Sequence, residues 1–213
     1  MKIRYGLLLL ILAALLITAG YAHSNTIEDS DAVKWSEKRH RAFIEKSWNV
    51  AIFAFDKATL LNPNYTEAYF NRGLAYSNLG NYNQAIADYN KAITLNPKKS
   101  GVYCSRGNAY SNLGNYSHAI AYYNKAITLN PKKSGVYCSR GNAYSNLGNY
   151  SHAIAYYNKA IDLDPKDADP YNNRAITYLR HGDNISGCRD AQKACDLGNC
   201  NGLDAAKAQG FCH

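Results

Sequence analysis

The stretch "KKSGVYCSRGNAYSNLGNYSHAIAYYNKAI" occupies residues 98–127 and occurs again, letter for letter, at residues 132–161. The copies lie 34 positions apart, and aligning the chain on this unit extends the period in both directions. Five consecutive windows result: 32–65, 66–99, 100–133, 134–167 and 168–201. A period of this length predicts stacked supersecondary units, because one short unit cannot bury its apolar face alone.

Two helices are predicted within each window. In the second window, Tyr69, Gly73 and Tyr76 are spaced i, i+4 and i+7, so they share one face of a first helix. A second helix repeats this kind of spacing in Ala85, Tyr89 and Ala92. Residues 79–81 between them predict a helix end and a turn, and Pro97 ends the second helix. The hydroxyl residues that open these windows are predicted N-caps: Thr66, Ser100 and Ser134.

The pattern resembles the tetratricopeptide repeat (TPR), whose signature has an aromatic, a glycine, an aromatic, alanine, an aromatic, alanine and proline at these spacings. Windows 66–99, 100–133 and 134–167 carry the whole signature. In the third window it reads Tyr103, Gly107, Tyr110, Ala119, Tyr123, Ala126 and Pro131. The resemblance implies an all-α fold, a solenoid (right-handed superhelix) of helix-turn-helix hairpins.

The two outer windows are degenerate. Window 32–65 has Arg39 in place of the glycine and is expected to form an N-terminal cap with a polar outer face. Window 168–201 has Ala175 in place of the glycine and Ala191 in place of the third aromatic. Departures of this kind are expected at the ends of a repeat array, where one side of a unit has no neighbour.

The N-terminus has the layout of a secretory signal peptide. Lys2 and Arg4 precede an apolar run at residues 6–19, which is short for a membrane-spanning helix, and small residues follow it. We predict a signal peptide at residues 1–22, a linker at residues 23–31 and export to a bacterial periplasm or the cell exterior. An uncleaved N-terminal anchor is the alternative, and no other membrane segment is expected.

Composition and charge favour a globular chain that does not bind nucleic acid. The 213 residues are 46% hydrophobic and 19% charged, which is too apolar for a disordered chain. The net charge is +8, and it falls to +6 once residues 1–22, with two basic and no acidic residues, are removed. The lysines recur at set repeat positions and form no dense basic block, which favours solvated faces with a mild preference for acidic partners.

No motif in the chain supports catalysis. The sequence has no phosphate-binding glycine loop, no HExxH and no serine-elbow motif, and its six histidines are scattered or are copies of one another. We therefore predict that the protein is not an enzyme and needs no metal or other cofactor.

Four cysteines cluster at the C-terminal end: Cys188, Cys195, Cys200 and Cys212. An even cluster in an exported protein suggests disulfides, and the gaps match no zinc-site spacing. If the tail, residues 202–213, forms a capping helix that folds back near Gly198, nested pairs follow, Cys195–Cys200 inside Cys188–Cys212. Two other connectivities remain open at this point.

Cys104 and Cys138 are equivalent positions of neighbouring repeats. Packed helices lie roughly 8–10 Å apart, whereas a disulfide needs α-carbons within about 7 Å. We expect the pair to stay unbridged. The simpler interpretation is two small side chains copied by duplication, and a reactive or intermolecular thiol is the alternative.

The resemblance also implies a concave groove, lined by the first helices, that holds an extended peptide or a partner helix. Carrying the family's groove positions onto this chain gives the candidate binding residues: Phe70, Asn71, Asn78, Cys104, Asn108, Asn112, Cys138, Asn142 and Asn146. Together with the serines at groove positions, Ser105, Ser111, Ser139 and Ser145, the asparagines form a ladder along the groove. The asparagines can pair with the backbone of an extended ligand, since each amide has both donors and an acceptor. A solvated, merely solubilising surface is the alternative. Phe70, Cys104 and Cys138 stand where the family's carboxylate clamp has lysine, so that clamp is absent.

Arginines recur at the seventh position of four windows: Arg72, Arg106, Arg140 and Arg174. They either fold against neighbouring tyrosine rings or line the groove edge, where they would favour an acidic ligand.

Two functions follow from this pattern. The leading hypothesis is a non-enzymatic scaffold that binds an extended or helical segment of a protein partner in the groove, with Tyr103 and Tyr137 packed behind it. The alternative is a spacer or assembly factor of the cell envelope that self-associates through other surfaces.

Overall fold

The computed structural model describes residues 48–212, and within that range every regular element is an α-helix. The chain divides into two compact units, Met1–Asn81 and Tyr82–His213. The predicted signal peptide (1–22), the linker (23–31) and the first half of window 32–65 lie outside the described residues.

From residue 66 onward the helices follow the predicted period of two per window, and the second half of window 32–65 forms one helix. In the first unit they are α1 (Trp48–Leu61) and α2 (Thr66–Asn78). In the second unit they are α3 (Tyr82–Leu95), α4 (Ser100–Asn112), α5 (Tyr116–Leu129), α6 (Ser134–Asn146), α7 (Tyr150–Leu163), α8 (Ala168–Arg180), α9 (Asn184–Asp196) and α10 (Asn201–Ala208). The all-α fold of TPR hairpins is confirmed.

In the first unit, α1 packs against α2 through small and aromatic side chains. Phe55 is 2% exposed and lies among four buried alanines: Ala51, Ala58, Ala68 and Ala75. Arg72 of α2 donates to Asp56 of α1 at 2.7 Å and to Thr59 at 3.0 Å, which joins the two helices at their polar edge.

Two kinds of turn separate the helices of the second unit. Inside each hairpin a glycine has a positive φ, as at Gly114 (76°) and Gly148 (75°), a conformation that other residues rarely adopt. Between hairpins an Asn-Pro or Asp-Pro step forms a turn in which the side chain of the first residue accepts from a backbone N–H two residues on. Lys132 N–H donates to the Asn130 side chain at 3.3 Å, and Lys166 N–H donates to Asp164 at 3.2 Å. These two turns set the 34-residue period.

The N-cap prediction is wrong by one residue. Helix α4 begins at Ser100 itself, and its N-cap is Lys99, with no side-chain cap. The reason is that Val102 N–H already donates to the Lys99 carbonyl at 3.1 Å, so the first turn closes one residue before the serine. The same holds in the copy at Lys133.

Each duplicated hairpin closes on a contact between a glycine and a tyrosine ring. A Cβ placed on Gly107 would lie 2.6 Å from Tyr123 Cε1, and one on Gly141 would lie 2.6 Å from Tyr157 Cε1. Both tyrosines are only 1% exposed. The glycine is therefore required because the ring of the second helix occupies the space that a side chain would need.

The last hairpin, α8–α9, closes differently. Ala175 and Ala191 replace that glycine and that tyrosine, and both are buried in a cluster with Leu203 and Ala206 of α10. Side chains of α10 thus fill the volume that the tyrosine ring fills in the duplicated hairpins. It is shorter than the predicted 202–213 segment, ending at Ala208.

Two disulfides hold the C-terminal segment. Cys188 of α9 bonds to Cys212, with α-carbons 5.6 Å apart, and Cys195 bonds to Cys200, with α-carbons 3.9 Å apart. This is the nested pairing predicted for a tail that folds back near Gly198, whose φ is 100°. Cys104 and Cys138 are unbridged, as expected.

Candidate binding groove

The first helices α4, α6 and α8 present polar side chains along one surface of the second unit, which we call the groove. Two cavities lie along it. One, of about 220 Å³, is lined by Asn108, Ser111, Asn112, Tyr123, Ser139 and Asn142. The other, of about 210 Å³, is lined by Asn142, Ser145, Asn146, Tyr157, Asn173, Ile176, Thr177 and Arg180. Asn142 borders both, so the cavities form a continuous polar surface.

The central asparagines are oriented by tyrosines of the second helices. Tyr123 Oη donates to Asn108 Oδ1 at 2.8 Å, and Tyr157 Oη donates to Asn142 Oδ1 at 2.7 Å. Within residues 48–212 no group accepts a hydrogen bond from the Nδ2 atom of either asparagine. Since the carbonyl oxygen is held, each amide keeps its two N–H donors available at one-repeat intervals.

The tyrosine hydroxyls stay protonated, and so remain donors, to a higher pH than those of exposed tyrosines. Burial raises the pKa of Tyr123 and of Tyr157 well above the usual value, more than the neighbouring hydroxyls lower it. A tyrosinate would be an acceptor and would turn the asparagine amide around. The orientation of Asn108 and Asn142 is therefore insensitive to pH over the physiological range.

The two free cysteines lie behind this surface and line neither cavity. Burial raises the pKa of the Cys138 thiol to about 11, partly offset by a hydrogen bond from Asn173 Nδ2 to Cys138 Sγ at 3.5 Å. Burial also raises the pKa of Cys104, partly offset by Lys133. A raised thiol pKa disfavours the nucleophilic thiolate, which supports a packing role.

The remaining predicted groove residues belong to the first unit. Phe70 and Asn71 are half-buried on α2, and Asn78 is exposed at its end. Asn78 Nδ2 donates to the Leu74 carbonyl of its own helix at 2.8 Å. A binding role for these three residues remains a prediction.

Several groove residues were missed by the sequence argument. These come from the last hairpin: Asn173, Ile176, Thr177 and Arg180. The serines at the family's groove positions, Ser111, Ser139 and Ser145, line the cavities as well. Ser145 and Thr177 form a 3.0 Å hydrogen bond that joins α6 to α8. The signal was available, because continuing the groove positions into window 168–201 gives Asn173, Ile176 and Arg180.

The repeated arginines pack against tyrosine rings and bridge consecutive windows. Arg140 Cζ lies 3.6 Å from the Tyr156 ring centroid and Arg106 Cζ lies 3.7 Å from that of Tyr122. Arg140 also donates to Asn124 of the preceding window at 2.5 Å. Of the two alternatives left open by the sequence, the structural one therefore applies, and these arginines line neither groove cavity.

Among residues 48–212, no three His, Cys, Asp or Glu side chains come together in a way that could hold a metal ion. In the same range no helix combines the length and apolar character that crossing a bilayer requires.

Stacked helical hairpins with a polar surface on their first helices define an α-helical repeat protein. A family model described as "Tetratricopeptide repeat" matches residues 66–99, 101–133 and 135–167, and a second model of the same description matches residues 156–188. The chain belongs to the TPR family, whose fold is typical of protein–protein interaction scaffolds.

Solved TPR structures share the fold at low sequence identity. MamA (residues 41 to the end) from Desulfovibrio magneticus RS-1 is 21% identical, with a TM-score of 0.73, over 78% of this chain and 94% of that one. YrrB, a TPR protein with an unusual peptide-binding site, is 22% identical, with a TM-score of 0.68, over 84% and 93%. PilF of Pseudomonas aeruginosa is 16% identical, with a TM-score of 0.73, over 86% of each chain. The search of curated proteins found no match.

Proposed function

We propose that the protein is a non-enzymatic scaffold that binds an extended segment of a partner protein in the groove. The observation that carries the proposal is the pair of asparagine amides, Asn108 and Asn142, whose N–H donors are oriented by buried tyrosines. An extended backbone presents carbonyl acceptors whatever its side chains, so donors at fixed intervals bind it without demanding a particular sequence. The similarity to a TPR protein with a peptide-binding site is consistent with this use of the surface.

The ligand is expected to have an acidic group near one end of the segment. Arg180 lines the cavity at α8, at the position that Asn112 and Asn146 hold in the earlier hairpins. No carboxylate within residues 48–212 forms an ion pair with it. A cation at one end of a neutral polar surface favours one orientation of the bound segment.

We further propose that the protein is exported. The two disulfides support an oxidising compartment, and residues 1–22 have the layout of a signal peptide. Fractionation of cells that express the full chain, with mass spectrometry of its N-terminus, tests both the location and the cleavage.

The groove proposal is tested with Asn108→Asp plus Asn142→Asp. Aspartate keeps an oxygen that accepts from the tyrosine hydroxyl but replaces both N–H donors with an acceptor, so the fold is maintained while backbone carbonyls are repelled. The matched control is Ser117→Asp plus Ser151→Asp, which adds the same charges at exposed, repeat-equivalent positions of α5 and α7.

The readout is crosslinking in cells followed by mass spectrometry of captured proteins. A partner that is lost from the groove variant and kept by the control supports the proposal. A partner retained by both variants overturns it, as does one lost equally from both, because the loss then reflects charge alone.

Self-association remains the alternative. A spacer would assemble through its own surfaces, so its sedimentation coefficient would rise with concentration and would be unchanged by the groove variant. A groove scaffold without self-association sediments as one species at all concentrations.

A further inference from the structure

A separate cleft lies between the last hairpin and the helix before it, and it shares no residue with the two groove cavities. It encloses about 490 Å³ between α7, α8 and α9. Its lining includes Asp162, Arg174, Tyr178, Ser186, Arg189 and Asp190. In the duplicated hairpins, aromatic rings of the second helix occupy the equivalent position.

In each duplicated hairpin a tyrosine of the first helix stacks on two rings of the second. Tyr110 lies 5.2 Å from the rings of both His118 and Tyr122, measured between centroids, with interplanar angles of 18° and 25°. The copy has the same arrangement, in which Tyr144 lies 5.2 Å from His152 and 5.3 Å from Tyr156. Offset stacks of this kind are favourable beyond the area that they bury.

The last hairpin keeps the first tyrosine and loses both of its partners. Tyr178 stands 34 residues after Tyr144, whereas the positions of His152 and Tyr156 are held by Ser186 and Asp190. Within residues 48–212 no ring stacks on Tyr178. The cleft therefore contains the ring of Tyr178 without the two aromatic rings that stack on its equivalents, Tyr110 and Tyr144.

The arginine of this hairpin also has a different partner from its equivalents. Arg174 is equivalent to Arg140, which lies over Tyr156, but it instead donates twice to Asp190, at 2.6 and 2.8 Å. Asp162 and Arg189 add one charge of each sign to the lining, so the cleft has no net charge. A neutral ring with a polar edge suits this lining better than a charged ligand.

We propose that this cleft binds a tyrosine side chain of a partner protein, stacked on Tyr178. The chain itself shows the fit twice, because a tyrosine ring occupies the equivalent space beside Tyr110 and beside Tyr144. The polar groups of Asp162, Ser186 and Arg189 lie where they can contact the phenol hydroxyl or the partner backbone. The proposal is independent of ligand binding in the groove.

The test uses N-acetyl-tyrosinamide as the probe and NMR of the isotope-labelled chain as the readout. We expect saturable shifts of the amides of residues 186–190 with a dissociation constant on the order of 1 mM, the scale for a ligand of roughly fifteen non-hydrogen atoms. N-acetyl-leucinamide should produce no saturable shift there.

The decisive variant rebuilds the stack of the preceding hairpins with Ser186→His plus Asp190→Tyr. The chain folds around these residues in two other windows, so the variant is expected to fold, fill its own cleft and bind the probe at least tenfold more weakly. Tyr178→Leu, which keeps apolar volume and removes the ring, should weaken binding similarly. Asn108→Asp plus Asn142→Asp is the matched control and should leave the probe affinity unchanged.

Three results overturn the proposal. These are no saturable shift with the wild-type chain, equal affinity in the filled variant, and binding of N-acetylglucosamine but not of the tyrosine probe at the same amides. The last would assign the cleft to a sugar ring. If the Asn108→Asp plus Asn142→Asp variant loses its groove ligands but still binds the tyrosine probe, the two sites bind independently.

Discussion

Gly141 has no room for a side chain, because the Tyr157 ring lies against its α-carbon. The last hairpin shows the converse, in that Ala175 is tolerated where the tyrosine is replaced by Ala191. The glycine and the ring are therefore one packing unit divided between two helices, and a change at either position alone is expected to be costly.

We expect Gly141→Ala to lower the free energy of unfolding by about 1–3 kcal/mol, since the added methyl displaces a buried ring. Gly135→Ala on the same helix is the control, because a Cβ there meets no atom within 4 Å. It should leave stability unchanged or raise it slightly. Urea denaturation measures both, and equal effects of the two substitutions would contradict the packing argument.

Cys138 is expected to be unreactive in the folded protein. With a native pKa of about 11 against an ordinary value of 9.0, the thiolate fraction at pH 9 is roughly 50-fold lower than in the unfolded chain. Iodoacetamide labelling followed by mass spectrometry, with urea-unfolded protein as the reference, should therefore show native Cys138 labelled at least that much more slowly, since burial also limits access of the reagent. Equal labelling rates at pH 9 would show that the thiol is not buried.

The same shift affects stability in alkaline solution. Between pH 9 and about 11 the unfolded thiol loses its proton while the native thiol keeps it, so stability falls as pH rises through this interval. The contribution is fully present below pH 9. Burial of Tyr123 and Tyr157 acts in the same direction, from about pH 10 upward.

At the scale of the helix, the period of the sequence is sufficient to predict each hairpin. The glycine turns and the Asn-Pro steps end the helices, and the alternation of small and aromatic residues identifies the buried faces. The N-caps at Lys99 and Lys133 could not be predicted from residue type, since lysine has no capping side chain and the turn is closed by the backbone.

The binding surface was only partly predictable. The groove positions of Asn108 and Asn142 followed from the repeat register, but the orientation of their amides depends on tyrosines about 15 residues away on another helix. The sequence likewise left two possibilities for Arg140, namely packing against tyrosine rings or lining the groove edge. Its contacts with the Tyr156 ring and with Asn124 decide between them. The cleft at Tyr178 becomes visible only when the ring partners of Tyr144 are known.

The disulfides are expected to stabilise the C-terminal helix unequally. Removing Cys188–Cys212 with serines opens a loop of 24 residues and should cost about 3.5 kcal/mol, whereas removing the five-residue Cys195–Cys200 link should cost about 2 kcal/mol. Loss of the longer link should also expose the amides of α10 to hydrogen exchange. Equal costs for the two pairs would argue against the loop-entropy explanation.

At the scale of the whole chain, the repeats offer an in-register deletion. Removing residues 100–133 joins Lys99 to Ser134 and leaves the junction sequence unaltered, because NPKK precedes both copies. The shortened chain should fold with similar helicity per residue, with an unfolding free energy lower by about 2–5 kcal/mol and a smaller m-value.

The deletion also separates the two proposed sites. It removes Asn108 and one groove cavity while leaving α7, α8 and α9 in their sequence context, so affinity for an extended ligand should fall and binding of the tyrosine probe should persist. Isothermal titration with each ligand compares them. Unchanged affinity for the extended ligand would mean that the groove does not extend over both hairpins.

The identity of the two inner hairpins also bears on how the chain finds its structure. Helix α4 can form with α7 the same glycine–tyrosine contact that it forms with α5, because Tyr123 and Tyr157 stand in identical sequence. During refolding at high concentration, two molecules can therefore exchange a hairpin and keep the contacts within it, so domain-swapped oligomers become competing products. The C-terminal segment has its own packing and two disulfides, which no other window shares. It therefore favours the native pairing of the hairpins over a pairing shifted by one repeat.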